Sequence, residues 1–165
     1  MAKSNKELKT ISFYDNSASQ WTTAHGGNEG ESYWKSEMQK FHDLLPAGKD
    51  AAALIKMGYE YTGTDASKGL ITVAQKRNPH AVFVNESVDE LDFPENSFDG
   101  FWTAATLLHI PKNRIDTALQ SIKKVIRPKG VGFISMKAGA GERTDKETDR
   151  WFSYYSKEEF KEILE

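Results

Sequence analysis

The sequence predicts an α/β protein in which a mostly parallel sheet carries helices on both faces. Short apolar runs with strand character alternate along the chain with amphipathic segments of helical spacing. Strands that alternate with helices of this length are joined by crossover connections and run parallel within a sheet. The predicted strands are residues 59–64, 81–84, 100–104 and 131–136.

Signals at the helix ends support this alternation. Ser67 is suited to cap a helix that runs to Asn78, where a proline follows and ends it. Pro111 suits the first turn of a second helix, which continues with a clear amphipathic face. Ser156 and Glu159 have the spacing of a capping box, so we expect a third helix to begin there.

The N-terminal part of the chain differs from the rest, because it shows helical spacing without strands. Residues 1–46 are predicted to form a helical cap of two segments joined by the polar loop 25–30. No repeat, low-complexity tract or linker divides the chain. We therefore expect one domain over residues 1–165, with the Rossmann-like part in residues 47–165.

Composition excludes several classes of function. The 165 residues have a net charge of -2 and contain no cysteine, so disulfides, thiolate metal sites and cysteine nucleophiles are excluded. The charge balance also argues against a nucleic-acid partner. No apolar run has the length of a membrane span, and the N-terminus lacks the apolar region of a secretory signal. We expect a cytoplasmic protein without a membrane or nucleic-acid partner, and no metal site.

Candidate binding residues follow the predicted strands, because ligands of open parallel sheets collect beyond the carboxyl ends of the strands. Asp65, Ser87, Thr103 and Ala104 occupy these positions. A carboxylate at Asp65 is able to accept hydrogen bonds from both ribose hydroxyls of a nucleoside cofactor. The alternative is an ordinary strand-end or capping residue.

Four sequence stretches together have a recognisable order. They read YTGTD at residues 61–65, SVDELDFPENSFDGF at 87–101, TLLHIP at 106–111 and IRPKG at 126–130. This succession resembles the class I S-adenosylmethionine-dependent methyltransferases that act on small molecules. The resemblance implies a Rossmann-like fold, S-adenosylmethionine as cofactor, and an enzyme that transfers a methyl group to a small-molecule acceptor.

The resemblance also implies where the cofactor binds. Asp65 and Ala66 would meet the ribose, and the turn at Ser87 and Val88 would hold the adenine. Ser87 stands where the family usually has an acidic residue near the exocyclic amine, so a weaker contact is expected there. Small residues after the third predicted strand would line the sulfonium, and aromatic residues of the cap would cover the cofactor. The complete set is Asp65, Ala66, Ser87, Val88, Thr103, Ala104, Tyr14 and Trp21.

The acceptor side is expected to involve other residues. His109 is a candidate base, although a histidine just before a helix often has a packing or capping role. Residues 137–143 are expected to form a mobile loop over the pocket. Within the resemblance, Arg143 would pair with an anionic acceptor, and Trp151 and Tyr155 would line its pocket; the alternative is a solvated connector with core aromatics. No catalytic residue is assigned, since methyl transfer depends mainly on positioning.

One part of the family pattern is missing. The family places a strand, a Gly-x-Gly-x-Gly loop and a helix before the strand that ends at Asp65, which needs roughly 25 residues. Only positions 46–64 separate Leu45 from Asp65. Three explanations are open: the chain as given omits a segment, the protein carries a natural or engineered deletion, or the family resemblance is wrong. The family also continues into two further strands beyond the helix that contains Glu165.

Two rival functions follow from the same residues. A nicotinamide-dependent oxidoreductase would also use Asp65, but its glycine loop is equally missing, and no tyrosine begins a Tyr-x-x-x-Lys motif. A non-catalytic binding or regulatory protein with a methyltransferase-like shape is the other rival. The sequence assigns neither the acceptor nor the oligomeric state.

Overall fold

The computed structural model describes residues 2–24, 55 and 58–165, with residues 21–24 described by their backbone alone. Predictions for residues 25–54 and for the side chain of Trp21 lie outside the described residues. Two short 3-10 helices, Leu107–His109 and Lys112–Arg114, precede the third α-helix. In chain order the elements are α1 (Asn5–Ala24), β1 (Thr62–Thr64), α2 (Lys68–Arg77), β2 (Val82–Val84), β3 (Phe98–Ala104), α3 (Ile115–Val125), β4 (Ile126–Ser135), β5 (Glu142–Thr144), β6 (Trp151–Ser153) and α4 (Lys157–Leu164).

The described strands form three pairs. Strand β1 pairs with β2 in parallel, and β3 pairs with β4 in parallel, while β5 and β6 are antiparallel. In the longer parallel pair, Trp102 lies opposite Phe133, and their rings stack with centroids 3.9 Å apart and planes 13° apart. Parallel strands separated by helices confirm the predicted α/β class.

The helix caps agree with the sequence signals. The Ser67 hydroxyl accepts a hydrogen bond from the Leu70 backbone N–H at the start of α2. At the start of α4, Ser156 and Glu159 form both bonds of the capping box. Such caps satisfy backbone N–H groups that a helix end leaves unpaired. No α-helix in the described part of the chain has both the length and the apolar character that crossing a bilayer requires.

Two local predictions are corrected by the structure. The turn predicted at residues 127–130 lies within β4, where the pairing of β3 shifts from Phe98 opposite Ile126 to Gly100 opposite Val131. The intervening residues form an irregularity of the strand, so turn-forming residues were accommodated without ending it. The predicted loop over residues 137–143 runs into the β5–β6 hairpin, whose pairing of Glu142 with Ser153 was absent from the sequence interpretation.

The main apolar cluster lies around α3. Its buried members are Leu107, Ile110, Ile115, Ala118, Ile122 and Tyr155. Partly buried side chains from β3, β4 and α4 pack against these residues, including Phe101, Ile134 and Phe160. The cluster therefore fixes the carboxyl end of β3 relative to the segment that follows β4.

A cavity of about 780 Å³ lies beside the two parallel pairs. Residues of β1 and β3 both line it, and helix α1 contributes a further wall. Within the described residues, β1 pairs with β2 alone and β3 pairs with β4 alone. The carboxyl ends of β1 and β3 and the turn that follows β2 line this cavity, at the edge of the sheet where a ligand was expected.

Candidate cofactor and acceptor site

Asp65 follows β1 directly and lines the cavity. One of its carboxylate oxygens accepts a hydrogen bond of 2.8 Å from the Ser67 backbone N–H, which fixes the turn into α2. Burial raises the pKa of Asp65 to about 6; the Ser67 N–H opposes this rise, and the charge of Asp15 adds to it. The carboxylate is thus held in place at the cavity wall while being only weakly stabilised in its ionised form.

Helix α1 is attached to the same turn through Asp15. One carboxylate oxygen of Asp15 accepts hydrogen bonds from the Ser67 hydroxyl, at 2.7 Å, and from the Gly69 backbone N–H, at 2.8 Å. A Cβ atom on Gly69 would lie 2.6 Å from the Asp15 backbone oxygen. Only glycine therefore permits this approach of α1 to the start of α2.

The turn after β2 is built around Ser87 and Asp89. The Ser87 hydroxyl donates a hydrogen bond of 2.5 Å to Oδ1 of Asp89. The Glu90 backbone N–H donates to the Ser87 carbonyl oxygen, and the Leu91 N–H donates to the Ser121 hydroxyl on α3. Ser87 lines the cavity while the side chain of Asp89 is fully buried behind it.

Arg114 joins this turn to α1. Its guanidinium forms an ion pair with Oδ2 of Asp89 and a second one, at 2.8 Å, with Glu7. All three residues are buried, with no more than 8% of any residue exposed. Near the surface, Lys3 pairs with Glu90 at 2.9 Å. Helix α1 is consequently bound by charge to the adenine side of the predicted site.

The carboxyl end of β3 forms another wall of the cavity. Thr103 is buried and its hydroxyl donates a hydrogen bond of 3.3 Å to the Phe133 carbonyl oxygen of β4. Ala104 lines the cavity beside it, and Ala105 follows with a φ of 55°. The Ala105 N–H donates to the Ser135 hydroxyl at 2.9 Å, which holds the chain as it leaves the strand.

A hydrogen-bonded pair, Tyr14 and His109, closes the cavity near this strand end. Nδ1 of His109 lies 2.7 Å from the Trp151 carbonyl oxygen, and Nε2 lies 3.0 Å from the Tyr14 hydroxyl. Because a carbonyl oxygen only accepts, Nδ1 carries the proton, and Nε2 accepts the proton of the Tyr14 hydroxyl. Arg150 donates to the same hydroxyl oxygen at 3.0 Å.

The electrostatic setting keeps this pair neutral. Burial lowers the pKa of His109 to about 4; the Trp151 carbonyl opposes this effect, and the charges of Arg150 and Lys137 lower the pKa further. Burial raises the pKa of Tyr14, although the hydrogen bond from Arg150 acts in the opposite direction. At neutral pH, His109 is therefore an uncharged acceptor for the tyrosine hydroxyl.

Comparison with known families decides the class of this protein. The family model described as a methyltransferase domain matches residues 45–134, which is more than half of the 165 residues. The chain belongs to this methyltransferase family. No curated protein has a sequence that matches the chain.

Solved structures agree with this assignment at the level of the fold. The 1,6-didemethyltoxoflavin-N1-methyltransferase of Burkholderia thailandensis, crystallised with 1,6-didemethyltoxoflavin and S-adenosylhomocysteine, is 22% identical, with 99% of this chain and 79% of that chain covered and a TM-score of 0.69. DhpI, in complex with SAM and HEP, is 17% identical, with coverages of 99% and 89% and a TM-score of 0.69. The [4+2]-cyclase SpnF is 18% identical, with coverages of 99% and 72% and a TM-score of 0.66.

These comparisons confirm the class that the sequence predicted. The chain has a methyltransferase domain with a Rossmann-like α/β fold. Of the three explanations for the short connection before β1, a wrong family resemblance is therefore excluded. Since a cyclase shares the fold, the fold alone does not name the acceptor.

The structure of the methyltransferase divides the residues selected from the sequence into two groups. Those that line the cavity are Asp65, Ala66, Ser87, Val88, Thr103, Ala104, Tyr14 and His109. Arg143, Trp151 and Tyr155 do not line it. The exposed Arg143 stacks on the Tyr154 ring at 3.9 Å, while Trp151 and Tyr155 are buried in the core.

Tyr155 lies outside this cavity, in the apolar core. Its ring packs in the apolar cluster around α3 and against Phe160. Burial, followed by the charges of Glu142 and Glu159, raises the pKa of its hydroxyl to about 12. Tyr155 therefore packs in the core, while the backbone of Trp151 contacts cavity-lining residues through its carbonyl oxygen at His109 and its N–H at Thr10.

Several residues that hold the walls of this cavity in place were not selected from the sequence. They are Glu7, Asp15, Asp89, Arg114 and Arg150, and each acts through a partner distant in the chain. The one available signal was Arg114, a charged residue directly before the apolar Ile115 at the start of α3. A charge on the buried side of an amphipathic helix requires a partner.

Proposed function

We propose that this methyltransferase transfers the methyl group of S-adenosylmethionine to a small-molecule acceptor bound beside Tyr14. The observation that carries the proposal is one cavity lined by Asp65, the turn at Ser87 and Val88, and the Tyr14–His109 pair. The cavity is large enough for a nucleoside cofactor together with part of a small acceptor. The groups expected at the two ends of such a cofactor thus surround a single space.

The nucleoside end of the cofactor is assigned to β1 and β2. The ionised carboxylate of Asp65 accepts hydrogen bonds from the ribose hydroxyls, because a carboxylate is an acceptor on both oxygens. The adenine lies against the turn at Ser87 and Val88, which lines the same cavity. Ala66 and Val88 supply small apolar surface to the sugar and the base.

Methyl transfer takes place at the carboxyl end of β3. S-adenosylmethionine bound here would supply a methyl group on a positively charged sulfur; transfer of that methyl group would leave neutral S-adenosylhomocysteine, and the acceptor would release its proton to the solvent. Thr103 and Ala104 leave room there, since the first turns its hydroxyl to Phe133 and the second is small. The rate comes mainly from holding the acceptor in line with the bond that breaks.

Tyr14 orients the acceptor. Because its proton is donated to His109, its hydroxyl oxygen meets other groups as a hydrogen-bond acceptor. It therefore favours an acceptor molecule whose nucleophilic atom carries an N–H or O–H group. A histidine with a pKa of about 4 is a poor general base at neutral pH, so His109 serves to orient Tyr14.

A second candidate function is a methyltransferase-like binding protein without catalysis. The observation that favours it is the short connection, positions 46–64, between Leu45 and Asp65. This connection lacks room for the glycine loop that would hold the methionine part of the cofactor. A protein with this connection keeps the ribose and adenine groups and loses methyl transfer.

The deciding experiment combines intact mass with a calorimetric titration of the same sample with S-adenosylhomocysteine. Micromolar binding together with a mass greater than that of the 165 residues supports the enzyme. Binding with a mass equal to that of the chain supports the binding protein. Absence of S-adenosylhomocysteine binding by a folded sample overturns the proposed cofactor site, and titration with NAD is the matched control for an oxidoreductase.

A further inference from the structure

We propose that Asp15 of helix α1 is a positioning residue for the ribose of the cofactor, acting on Asp65 both through hydrogen bonds to the turn that follows it and through its charge. This inference rests on the proposed function, because it assumes that the ribose hydroxyls meet the Asp65 carboxylate. Its new content is that the turn depends on a side chain that lies 52 positions before Ser67. Docking of α1 and binding of the cofactor are then coupled.

The two carboxylates meet at one serine. The backbone N–H of Ser67 donates a hydrogen bond of 2.8 Å to Asp65, and the Ser67 hydroxyl donates one of 2.7 Å to Asp15. The same hydroxyl oxygen accepts the Leu70 backbone N–H at 3.1 Å, so it acts as donor and acceptor at once. Only 1% of Ser67 is exposed, and rotation of its hydroxyl would leave buried polar groups unpaired. Asp15 therefore holds the residue that holds Asp65.

Asp15 also supplies a charge that helix α2 lacks. The first turn of α2 contains no acidic residue of its own. The carboxylate of Asp15 accepts the Gly69 backbone N–H at 2.8 Å, which is one of the N–H groups that a helix start leaves without an intrahelical partner. A negative charge at this end of a helix is favourable. Helix α1 thus provides the anionic cap of α2 and fixes the direction in which the chain leaves β1.

The charge of Asp15 acts on Asp65 in the opposite sense. Burial raises the pKa of Asp65 to about 6, the Ser67 N–H opposes this rise, and the negative charge of Asp15 adds to it. A docked α1 therefore has two effects on the ribose site. It holds the turn in place through hydrogen bonds, and it makes Asp65 easier to protonate through its charge.

The other groups around Asp65 leave this role to Asp15. Tyr14 of α1 is a neighbour: burial and, more weakly, the charge of Asp65 raise the pKa of its hydroxyl. From the turn after β2, Asn85 donates to the Asp65 backbone oxygen at 2.8 Å, and Glu86 lines the same cavity. Within the described part of the chain, no cation contributes to the shifted pKa of Asp65.

Two substitutions separate the hydrogen bonds from the charge. Asp15→Asn keeps a side-chain oxygen that is able to accept from the Ser67 hydroxyl and the Gly69 N–H, but it carries no charge. Asp15→Ala removes the oxygen and the charge together. The asparagine variant therefore changes only the electrostatic environment of Asp65, whereas the alanine variant also releases the turn.

The experiment measures the dissociation constant of S-adenosylhomocysteine by calorimetry at pH 7.5 and pH 5. At pH 7.5, Asp15→Asn is expected to bind as the wild type does, and Asp15→Ala about fivefold or more weakly. The rise in the dissociation constant at pH 5, about tenfold in the wild type, is expected to be about twofold smaller in Asp15→Asn. This change is small because Asp15 is exposed and water screens its charge. Asp92→Asn is the matched control: it removes an exposed carboxylate elsewhere and should leave both values unchanged.

The outcomes separate this inference from the proposed function. A folded wild type that does not bind S-adenosylhomocysteine contradicts the proposed function, and the inference with it. Equal binding by the wild type and Asp15→Ala at pH 7.5 leaves the proposed function standing and overturns the inference. The pH dependence of the wild type in Asp15→Asn also overturns it, because a merely structural attachment of α1 would leave that dependence unchanged. If Asp15→Ala does not fold, the pH dependence of Asp15→Asn alone decides.

Discussion

The hydroxyl of Tyr14 donates its proton to Nε2 of His109 across 3.0 Å, although the two residues are 95 positions apart. Tyr14 belongs to the N-terminal helix, and His109 belongs to the short helix after β3. Their bond joins the cap to the strand end where methyl transfer is proposed. Its direction is determined by the Trp151 carbonyl, which accepts the ring N–H at Nδ1 and so leaves Nε2 as the acceptor.

The first prediction concerns the pH dependence of stability. The pKa of His109 is lowered from 6.5 to about 4 in the folded state, so the unfolded chain binds the proton first as pH falls. The contribution of His109 to stability is complete above pH ~6.5 and is lost between pH ~6.5 and ~4. The change in the free energy of unfolding between pH 7 and pH 5, measured by urea denaturation, is expected to differ by about 2 kcal/mol between the wild type and His109→Gln.

Comparison of the wild type with His109→Gln isolates the contribution of His109. The comparison is needed because Asp65 increases the stability of the fold as pH falls over an overlapping range. His80→Gln is the control, because His80 is exposed and should leave the pH dependence as in the wild type. An identical pH dependence in wild type and His109→Gln would show that His109 is not a buried neutral group.

The second prediction concerns Asp65 and cofactor affinity. Because the proposed ribose contact needs the ionised carboxylate and the pKa of Asp65 is about 6, the affinity for S-adenosylhomocysteine should fall as pH decreases below this value. At pH 5 only about a tenth of the sites are ionised, so the apparent dissociation constant should rise by about tenfold. Calorimetry over pH 5 to 8 measures this profile.

Asp65→Asn separates function from stability at the same position. A folded-state pKa raised from 3.8 means that stability falls as pH rises from about 4 to about 6, where only the folded state keeps the proton. The variant should therefore be more stable at pH 7.5, by up to about 3 kcal/mol, while binding S-adenosylhomocysteine more weakly. The exposed Asp92→Asn is the control, and tighter binding by Asp65→Asn would contradict the ribose role.

The third prediction compares two arginines. Arg114→Met leaves the carboxylates of Glu7 and Asp89 buried without their partner, which should lower the free energy of unfolding by about 3–5 kcal/mol. Arg127→Met removes a pair with Asp99 in which both side chains are more than half exposed, and should cost less than about 1 kcal/mol. Urea denaturation of both variants checks the difference, and equal losses would argue against a buried network.

The fourth prediction concerns the approach of α1 to α2. Gly69→Ala places a Cβ atom 2.6 Å from the Asp15 backbone oxygen, so α1 must shift. We expect a loss of about 1–3 kcal/mol in the free energy of unfolding, together with weaker binding of S-adenosylhomocysteine. Gln75→Ala, at an exposed position of α2, is the control and should change neither quantity. Unchanged stability and binding in Gly69→Ala would mean that α1 does not pack closely on this turn.

Much of the fold follows from local sequence signals. Ser67 and Ser156 cap the helices that were predicted to begin after them, and the positions after β1, β2 and β3 all reach the cavity. These features depend on interactions within a few residues or on the direction of parallel strands, so they can be predicted from a single sequence. The prediction of a turn at residues 127–130 was wrong because strand irregularities and turns use the same residue types.

The site was predicted less completely, for a physical reason that Arg143 and Arg114 show. Both are cations in segments near the strand ends, and the sequence interpretation selected Arg143. In the structure Arg143 covers the Tyr154 ring at the surface, while Arg114 reaches Glu7, 107 positions away, in the interior. A charged side chain contributes strongly to the structure when it is buried with its partners, and its burial depends on packing between distant elements.

By itself, the sequence determined the family, the alternation of strands and helices, and the position of Asp65 at a strand end, because motifs, periodicity and caps are local properties of the chain. The tertiary structure alone decided the proton on His109, the direction of the Ser87 hydroxyl, and the attachment of α1 through Asp15 and Glu7. Hydrogen-bond direction and ion pairing depend on which groups packing brings within about 3 Å of each other. For residues far apart in the chain, the local sequence does not indicate which of them will come this close.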